Sequence, residues 1–390
     1  MGSSVFYGKE RGNAQVFLAL RDVGVDALFL THAGKGRRTV EPALDRLGLR
    51  WTPVPYPRRW RYGLTPQHIA SGLRKAVACN RAFRRHLASY RPTHVHLMSE
   101  HFALNLAPSI RALDRPLIYR AGDQPLSHHP LFRAVWRHLL IPKVTQFVAI
   151  SEFVRDSLIA VGVPHDRIRV IYNYPPARPP LQRSDLPTDI QPFAGRTVVY
   201  VGQISRDKGV DKLVEAALGL CRERTDVRFL IAGEGPEDDG IVESLKASVQ
   251  ASDAADRIRF LGFIEDVPGL LARADIHVAP SVCAEALSNV VPEAKQAGVP
   301  SVVFPSGGLP ELCVSHGQDT FVCNDKTAVE LATGLRHYLD MHNTSLTSAG
   351  AAARMSLAAL GITREAYVAK WASVYGVSDA APPPLQSYAD

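Results

Sequence analysis

Two carboxylates eight residues apart, Glu285 and Glu293, flank an amide-rich turn within residues 283–312, and a diglycine, Gly307 and Gly308, follows them. Ser288 and Asn289 are good N-cap residues and Pro292 is tolerated only in a first helical turn. The pattern therefore predicts a loop carrying Glu285 and a helix carrying Glu293 that starts near Ser288 or Asn289. A helix start presents unpaired amides and a partial positive charge, so the backbone from Ser288 through Asn289 and Val290 to Val291 suits a diphosphate. The two carboxylates are left to accept hydrogen bonds from sugar hydroxyls. Gly307 and Gly308 let a further stretch of backbone approach the same ligand closely. The chemistry expected of such a constellation is the binding of a nucleotide sugar. Taken alone, two glutamates at this spacing equally describe a solvated charge beside a helix start, so the reading rests on the elements around them.

Those elements are legible. A strand over 276–280 precedes the loop, another over 301–304 follows the helix, and Gly298 and Pro300 break the chain between them. This order resembles the E-x7-E signature, small-Gly-x-Pro turn and Gly-Gly-x-x-Glu loop of the retaining GT-B glycosyltransferases of family 4, the glycosyl transferases of group 1. Upstream, VVYVGQISRDKGVDKLVEAA (198–217) is similar to the strand, basic loop and helix that open that family's donor-binding domain. RFLIAGEGPE (228–237) and IRFLGFIEDVPGLLARADIHVAPS (258–281) follow in the family's order, and FVAISEFVRDSLIAVGVPHDRIRVIYN (147–173) is similar to the last helix and strand of its N-terminal domain.

The resemblance implies an α/β chain of the GT-B fold, two Rossmann-like domains whose parallel sheets face a central cleft. It implies transfer of a sugar from a nucleotide-sugar donor to a carbohydrate or lipid-linked acceptor with retention of configuration, in polysaccharide or glycolipid assembly, and no covalent nucleophile is named. Gly202 and Lys208 match the family's glycine and lysine, and Lys208 is expected on the donor diphosphate. Gln203 stands where the family has arginine, which makes Arg206 in the same loop a second candidate for the phosphates. Glu293 is expected at the ribose hydroxyls and Glu285 at the donor sugar or the transition state. In IYRAGDQP (118–125) Gly122 replaces the family's histidine while Asp123 is retained near the reacting centre, and His101 and Arg120 are the candidates to fill the vacancy. Gly12, read in a loop before the first helix, completes the donor set.

The chain has 390 residues, of which 46% are apolar and 21% charged, as in a globular protein of two ordinary domains. No apolar run approaches the roughly 18 residues that span a bilayer, and no signal-like segment precedes the first structured stretch, so a cytoplasmic location is expected. The five cysteines, Cys79, Cys221, Cys283, Cys313 and Cys323, are scattered and contain no C-x-x-C pair; they read as small core residues. His94, His96 and His101, or His128 and His129, lack a carboxylate placed to complete a site. Metal is unnecessary if Lys208 and helix amides neutralise the diphosphate, so no metal and no other cofactor is expected.

Net charge is +7, divided as +15 over residues 1–175 and −8 over 176–390. Between Trp51 and Ser99 there is no acidic residue, while Arg58, Arg59, Arg61, Arg74, Lys75, Arg81, Arg84, Arg85 and Arg91 all fall there. Residues 67–91 also have helical spacing, with Ile69, Leu73, Val77, Phe83 and Leu87 on one face. The 58–91 segment is read either as a face for anionic lipid headgroups, giving peripheral attachment to the inner face of the membrane, or as a solvated face. Nucleic acid ranks below both, since no recognition motif accompanies the charge.

The expected organisation is an N-terminal acceptor-side domain over 1–174, a proline-rich linker over 175–193 and a donor domain over 194–362. A helix over 363–376 returns to the first domain, and a disordered tail spans 377–390. Helices are expected at 13–24, 42–48 and 103–113 and strands at 25–31, 94–98 and 117–120. The resembled fold opens on a hydrophobic strand, whereas here the loop-like GSSVFYGKERGNAQ begins at residue 2. Either the true start lies upstream, or residues 4–7 form a short substitute strand. Rival functions are a nucleotide-sugar epimerase on the same architecture and a catalytically weakened nucleotide-sugar-binding protein; a dehydrogenase is disfavoured because GEGPEDDG lacks the G-x-G-x-x-G arrangement.

Overall fold

In the computed structural model the described residues are 6, 8–32, 39–56, 66–175, 190, 193–236 and 240–377, with the side chains of 66–71 excepted. Arg58, Arg59 and Arg61, all but Phe6 of the short strand considered over 4–7, most of the linker and nearly all of the tail lie outside them. Two compact units result, Met1–Asn173 with Arg364–Asp390, and Tyr174–Thr363.

The first unit contains the strands β1 (Leu28–His32), β2 (Arg50–Val54), β3 (Val95–Leu97), β4 (Leu117–Ala121), β5 (Gln146–Ala149) and β6 (Ile168–Val170). They form two parallel sheets, β1-β2 and β3-β4-β5-β6. Every residue of β4 is buried, as expected of a parallel strand covered on both faces. β2 is absent from the sequence reading because Pro53 sits inside it; its one described strand neighbour is β1, and an edge tolerates the missing donor. The first helix, Gly8–Arg21, packs on the last, Arg364–Tyr375, where Phe17 and Tyr375 bring their rings to 6.0 Å. The long basic helix spans Pro66–Tyr90. Residues 103–113 hold two short helices, Glu100–Asn105 and Ala107–Arg111, with Pro108 opening the second.

The expected position of Gly12 requires correction. It lies in the fifth position of the first helix and not in a loop before it, so it offers no loop backbone to a phosphate. A Cβ at Gly12 would stand 2.8 Å from Nη2 of Arg120, so glycine there accommodates a buried guanidinium.

The second unit contains β7 (Arg196–Val201), β8 (Val227–Ala232), β9 (Ile258–Gly262), β10 (Ile276–Ala279), β11 (Ser301–Val303) and β12 (Thr320–Val322). Its single parallel sheet runs β12-β11-β10-β7-β8-β9. The chain builds outward from β7 to β9, then returns to the other side of β7 and builds outward from β10 to β12. The loops leaving β7 and β10 therefore diverge from adjacent strands, which in open α/β sheets opens a crevice at their carboxyl ends. Apolar side chains pack on both faces, with Val198, Phe229 and Ile231 on one and Val199 and Leu230 on the other.

Candidate functional site

The crevice beside β7 gathers the donor-side candidates of the second unit. Gly202 follows β7 directly and its amide donates to the Ala232 carbonyl at 3.0 Å. Tyr200 Oη donates to the Gln203 carbonyl at 2.7 Å, which fixes the Gln203 backbone while its side chain is exposed. The loop from β7 is stitched to the loop from β10, because the amides of Val282 and Cys283 donate to the Asp207 carbonyl at 2.9 and 3.0 Å. This juxtaposition brings Lys208 Nζ into an ion pair with Glu285 Oε2, both side chains being partly buried. Ser281 Oγ donates to the same carboxylate oxygen at 3.0 Å, a contact that no sequence spacing signals. Arg206 is exposed and has no ion pair among the described residues.

Gly307 shows why the diglycine is needed. Its φ is +57°, and a Cβ there would meet the Glu285 carbonyl oxygen at 2.0 Å, so only glycine permits the approach. The neighbouring Gly308 amide then donates to that carbonyl at 2.8 Å, locking the diglycine loop against the Glu285 loop. The pocket helix spans Val290–Ala297 with Asn289 as its N-cap residue. Asn289 makes no side-chain cap; Ser288 Oγ instead accepts from the Val290 amide at 3.2 Å. A phosphate at this helix start thus competes with the Ser288 hydroxyl for the Val290 amide. Pro292 is the helix's third residue and Glu293 lies buried in its first turn. At the helix's other end Lys295, fully buried, pairs with Asp319 and donates to Ser356 Oγ at 2.9 Å.

In the first unit the acceptor-side candidates separate by role. Arg120 is buried and its Nη2 donates to Asn173 Oδ1 at 2.6 Å, and burial lowers its pKa. Its Nη1 would stand 3.4 Å from a Cβ at Gly122, so the guanidinium fills the space beside that glycine from within the core. One of its donors is therefore committed to Asn173, while Nη1 stands beside the position where Gly122 replaces the expected histidine. Asp123 is exposed on the loop after β4. His101 lies in the short helix Glu100–Asn105, its ring edge-on to Phe132 at 4.7 Å. Glu100, missed by sequence reasoning, ties these two segments together. Its carboxylate accepts from Tyr119 Oη at 3.0 Å and from the Leu126 amide at 2.9 Å. His96 bonds to Tyr375 Oη at 2.6 Å and Asn13 Oδ1 at 3.1 Å, and burial followed by the nearby Arg120 charge lowers its pKa to about 3, so it is a neutral, half-buried histidine. Among the described residues no group of three or more His, Cys, Asp or Glu is placed to hold a metal ion, and no helix is long and apolar enough to cross a membrane.

Two family models match the chain, "Glycosyl transferase 4-like domain" over residues 8–174 and "Glycosyl transferases group 1" over 195–341. The 2-deoxystreptamine glucosyltransferase of Streptomyces kanamyceticus is 28% identical over 358 residues, covering 83% of this chain and 87% of that protein. A GDP-mannose-dependent alpha-(1-6)-phosphatidylinositol dimannoside mannosyltransferase of Mycobacterium tuberculosis is 32% identical over 142 residues, which is 36% of this chain and 34% of the relative. Among solved structures, Anabaena HepE in complex with UDP superposes with a TM-score of 0.77 at 19% identity, covering 96% of this chain and 98% of that one. A glycosyltransferase from Rickettsia africae gives 0.75 at 17% identity, covering 97% and 98%. With one model on each unit and a fold shared along nearly the whole length, the chain belongs to the GT-B glycosyltransferases of group 1.

Proposed function

We propose that the chain transfers a sugar, with retention of configuration, from a nucleoside diphosphate donor bound beside β7 to a carbohydrate or lipid-linked acceptor in polysaccharide or glycolipid assembly. The observation that carries this reading is the meeting of Lys208 and Glu285 across the two divergent loops, beside a helix start and a diglycine pressed onto Glu285. Breaking the sugar–phosphate bond leaves negative charge on the diphosphate, and a cation fixed by its loop stabilises that charge without reorganising. Lys208 and the first-turn amides of the pocket helix fill this role without a metal ion, with Arg206 as a second cation. Gly202, Gln203 and Ser288 shape the phosphate side. Glu293 takes the ribose hydroxyls and Glu285 the donor sugar, while Asp123 and His101 act on the acceptor side. HepE was solved with UDP and with UDP-glucose, and the mycobacterial relative is named for GDP-mannose, so both bases belong in the test.

Thermal unfolding against UDP, GDP, ADP and their sugars decides the donor, with and without EDTA. A ligand at about 100 times its Kd adds roughly 2.7 kcal/mol. Stabilisation by one nucleotide, lost in Glu293→Ala and unchanged by EDTA, supports the reading; stabilisation that survives Glu293→Ala places the nucleotide elsewhere. Turnover of the nucleotide sugar to its epimer without any acceptor would favour the epimerase, and binding without transfer the weakened binder.

A second reading concerns location. On the long basic helix Leu73 and Val77 are 57% and 51% exposed, and Arg74, Lys75, Arg81, Arg84 and Arg85 are exposed with them. Apolar side chains in water among cations suit an anionic headgroup layer, where each Lys or Arg contributes about 1 kcal/mol. Co-sedimentation with phosphatidylglycerol vesicles but not phosphatidylcholine vesicles, weakened in Leu73→Ser/Val77→Ser, is the expected result. Equal behaviour with both lipids leaves a solvated face.

A further inference from the structure

The Glu100 carboxylate is buried, at 6% exposure, and its two oxygens hold two different stretches of the first unit. Oε2 accepts from Tyr119 Oη on β4, and Oε1 accepts from the Leu126 amide in the loop that leaves β4. Among the described residues no cation pairs with it. Burial, followed by the neighbouring Glu100 charge, raises the Tyr119 pKa, so the hydroxyl stays protonated and donates. A carboxylate buried against neutral donors costs folding free energy that a neutral side chain of the same shape avoids. Glutamine at this position has the donors and the acceptor to make both bonds without a charge. What the carboxylate adds is the strength of charge-assisted hydrogen bonds, which hold their partners more firmly than neutral ones.

The stretches held in this way are the ones that carry Asp123 and His101. Leu126 lies three residues after Asp123, which is exposed on the same loop, and His101 follows Glu100 directly in the helix Glu100–Asn105. The loop has a second tie, from Gln124 Nε2 to Ser157 Oγ at 3.1 Å, but that is a neutral bond at the surface. The buried bond to a carboxylate is the stronger of the two. On the helix side, the His101 amide donates to Ser99 Oγ at 3.3 Å and its carbonyl accepts from Asn105 Nδ2 at 2.8 Å. Tyr119 in turn packs edge-on to the buried Trp136 at 5.2 Å, so the clamp is anchored in the core of the unit.

We propose that Glu100 is a positioning residue for the acceptor, holding the Asp123 loop and the His101 helix at one fixed separation so that a carbohydrate hydroxyl meets both at once. The inference rests on the transfer reaction proposed above and adds to it a residue that touches neither donor nor acceptor. Losing such a clamp slows transfer by misplacing groups, and a displacement of about 1 Å is enough to cost on the order of 10²-fold. The donor-side candidates belong to the second unit and should not respond to the change.

The test compares the full chain with Glu100→Ala and Glu100→Gln, using UDP-glucose or GDP-mannose, whichever thermal unfolding selects, as donor and octyl glucoside, a sugar on an alkyl tail, as the acceptor probe. The acceptor kcat/KM should fall on the order of 10²-fold in Glu100→Ala and less than about tenfold in Glu100→Gln, which keeps both bonds. The donor KM and the nucleotide-dependent shift in unfolding should stay at parental values. Amide hydrogen exchange at residues 122–127 should quicken by about tenfold or more in Glu100→Ala, while exchange at 146–170 should not change. An unchanged acceptor kcat/KM overturns the proposal, and so does exchange that quickens across the whole unit, which would make Glu100 a stabiliser of the fold alone. Should Glu100→Ala fail to fold, Tyr119→Phe, which removes one of the two bonds, carries the same comparison. A parent that transfers no sugar to the probe counts against the transfer reading and leaves the exchange arm to decide this one, where unchanged exchange at 122–127 overturns it and local quickening supports it.

Discussion

Lys208 and Glu285 lie 77 residues apart in sequence and meet only because β7 and β10 are neighbours in the sheet. Their chemistry was legible in the sequence as residue types, but their contact was not, since it depends on strand order. Lys208→Ala removes the fixed cation from the leaving group, and the expected outcome is a 10²- to 10³-fold fall in kcat/KM with little change in unfolding midpoint. A fall in midpoint with unchanged turnover would make Lys208 a structural cation. His277 yields a different kind of prediction. It is buried on β10, its Nδ1 lies 3.0 Å from Ser301 Oγ, and burial lowers its pKa to about 3. Unfolding returns the ring to its ordinary affinity, so between about pH 6.5 and 3 the unfolded chain binds one more proton than the folded chain. Stability therefore falls as pH falls through that window, by about 1.4 kcal/mol per pH unit for this group. Urea titrations at pH 7.0 and 5.5 test it: His277→Gln should be less stable than the parent at pH 7.0 and should lose less on acidification.

The elements of the second unit were more legible than those of the first, for reasons that particular residues supply. Gly298 takes φ +77° to end the pocket helix, Pro292 marks its first turn, and Ile276–Ala279 is apolar but for His277, so boundaries there carry strong local signals. In the first unit such signals mislead. Gly12 reads as loop although it sits in a helix to admit Arg120, and Pro53 hides β2. The helical run Pro130–Lys143 carries prolines at 130 and 142 and a π-turn at Trp136–Leu140, and it escapes periodicity altogether. Tertiary contacts that no local pattern encodes also hold the pocket helix in place. Lys295 on that helix and Asp319 before β12 are 0% and 1% exposed, and Asp319 also accepts from the Val314 amide at 3.2 Å. Burial keeps the Lys295 pKa below the usual lysine value despite the carboxylate beside it. Lys295→Met leaves the Asp319 charge buried without its cation, and the expected cost is about 3–5 kcal/mol by urea denaturation. Lys295→Met/Asp319→Asn should recover part of that loss, because no uncompensated charge remains. A double variant as unstable as the sum of both singles would show that the two residues act independently.

Charge and connectivity divide the molecule along the same line. The +15 half contains the basic helix and the −8 half the six-stranded sheet, and every donor-side candidate from Gly202 to Gly308 falls within Tyr174–Thr363. That unit is continuous in sequence and has its own sheet and buried core, so it has what an independently folding domain needs. The first unit differs, because it is completed by chain from the far end. Trp371 is fully buried and Tyr367 and Tyr375 nearly so, and the Arg169 guanidinium donates to Ser373 Oγ at 2.7 Å. Expressed alone, residues 174–363 should unfold cooperatively and bind the preferred nucleotide within about tenfold of the full chain's Kd, while transferring no sugar for want of the acceptor side. The complementary truncation, ending the full chain at residue 363, should uncover Phe17 and the apolar side chains beside it on the helix Gly8–Arg21. Its first unit should then bind a hydrophobic dye and lose protection from proteolysis, while nucleotide still stabilises the second. Calorimetry separates these cases, since the truncated chain should keep one nucleotide-dependent transition and lose the other. Loss of both transitions would mean that the second unit depends on the first for its fold, and nucleotide binding would then report on the whole molecule.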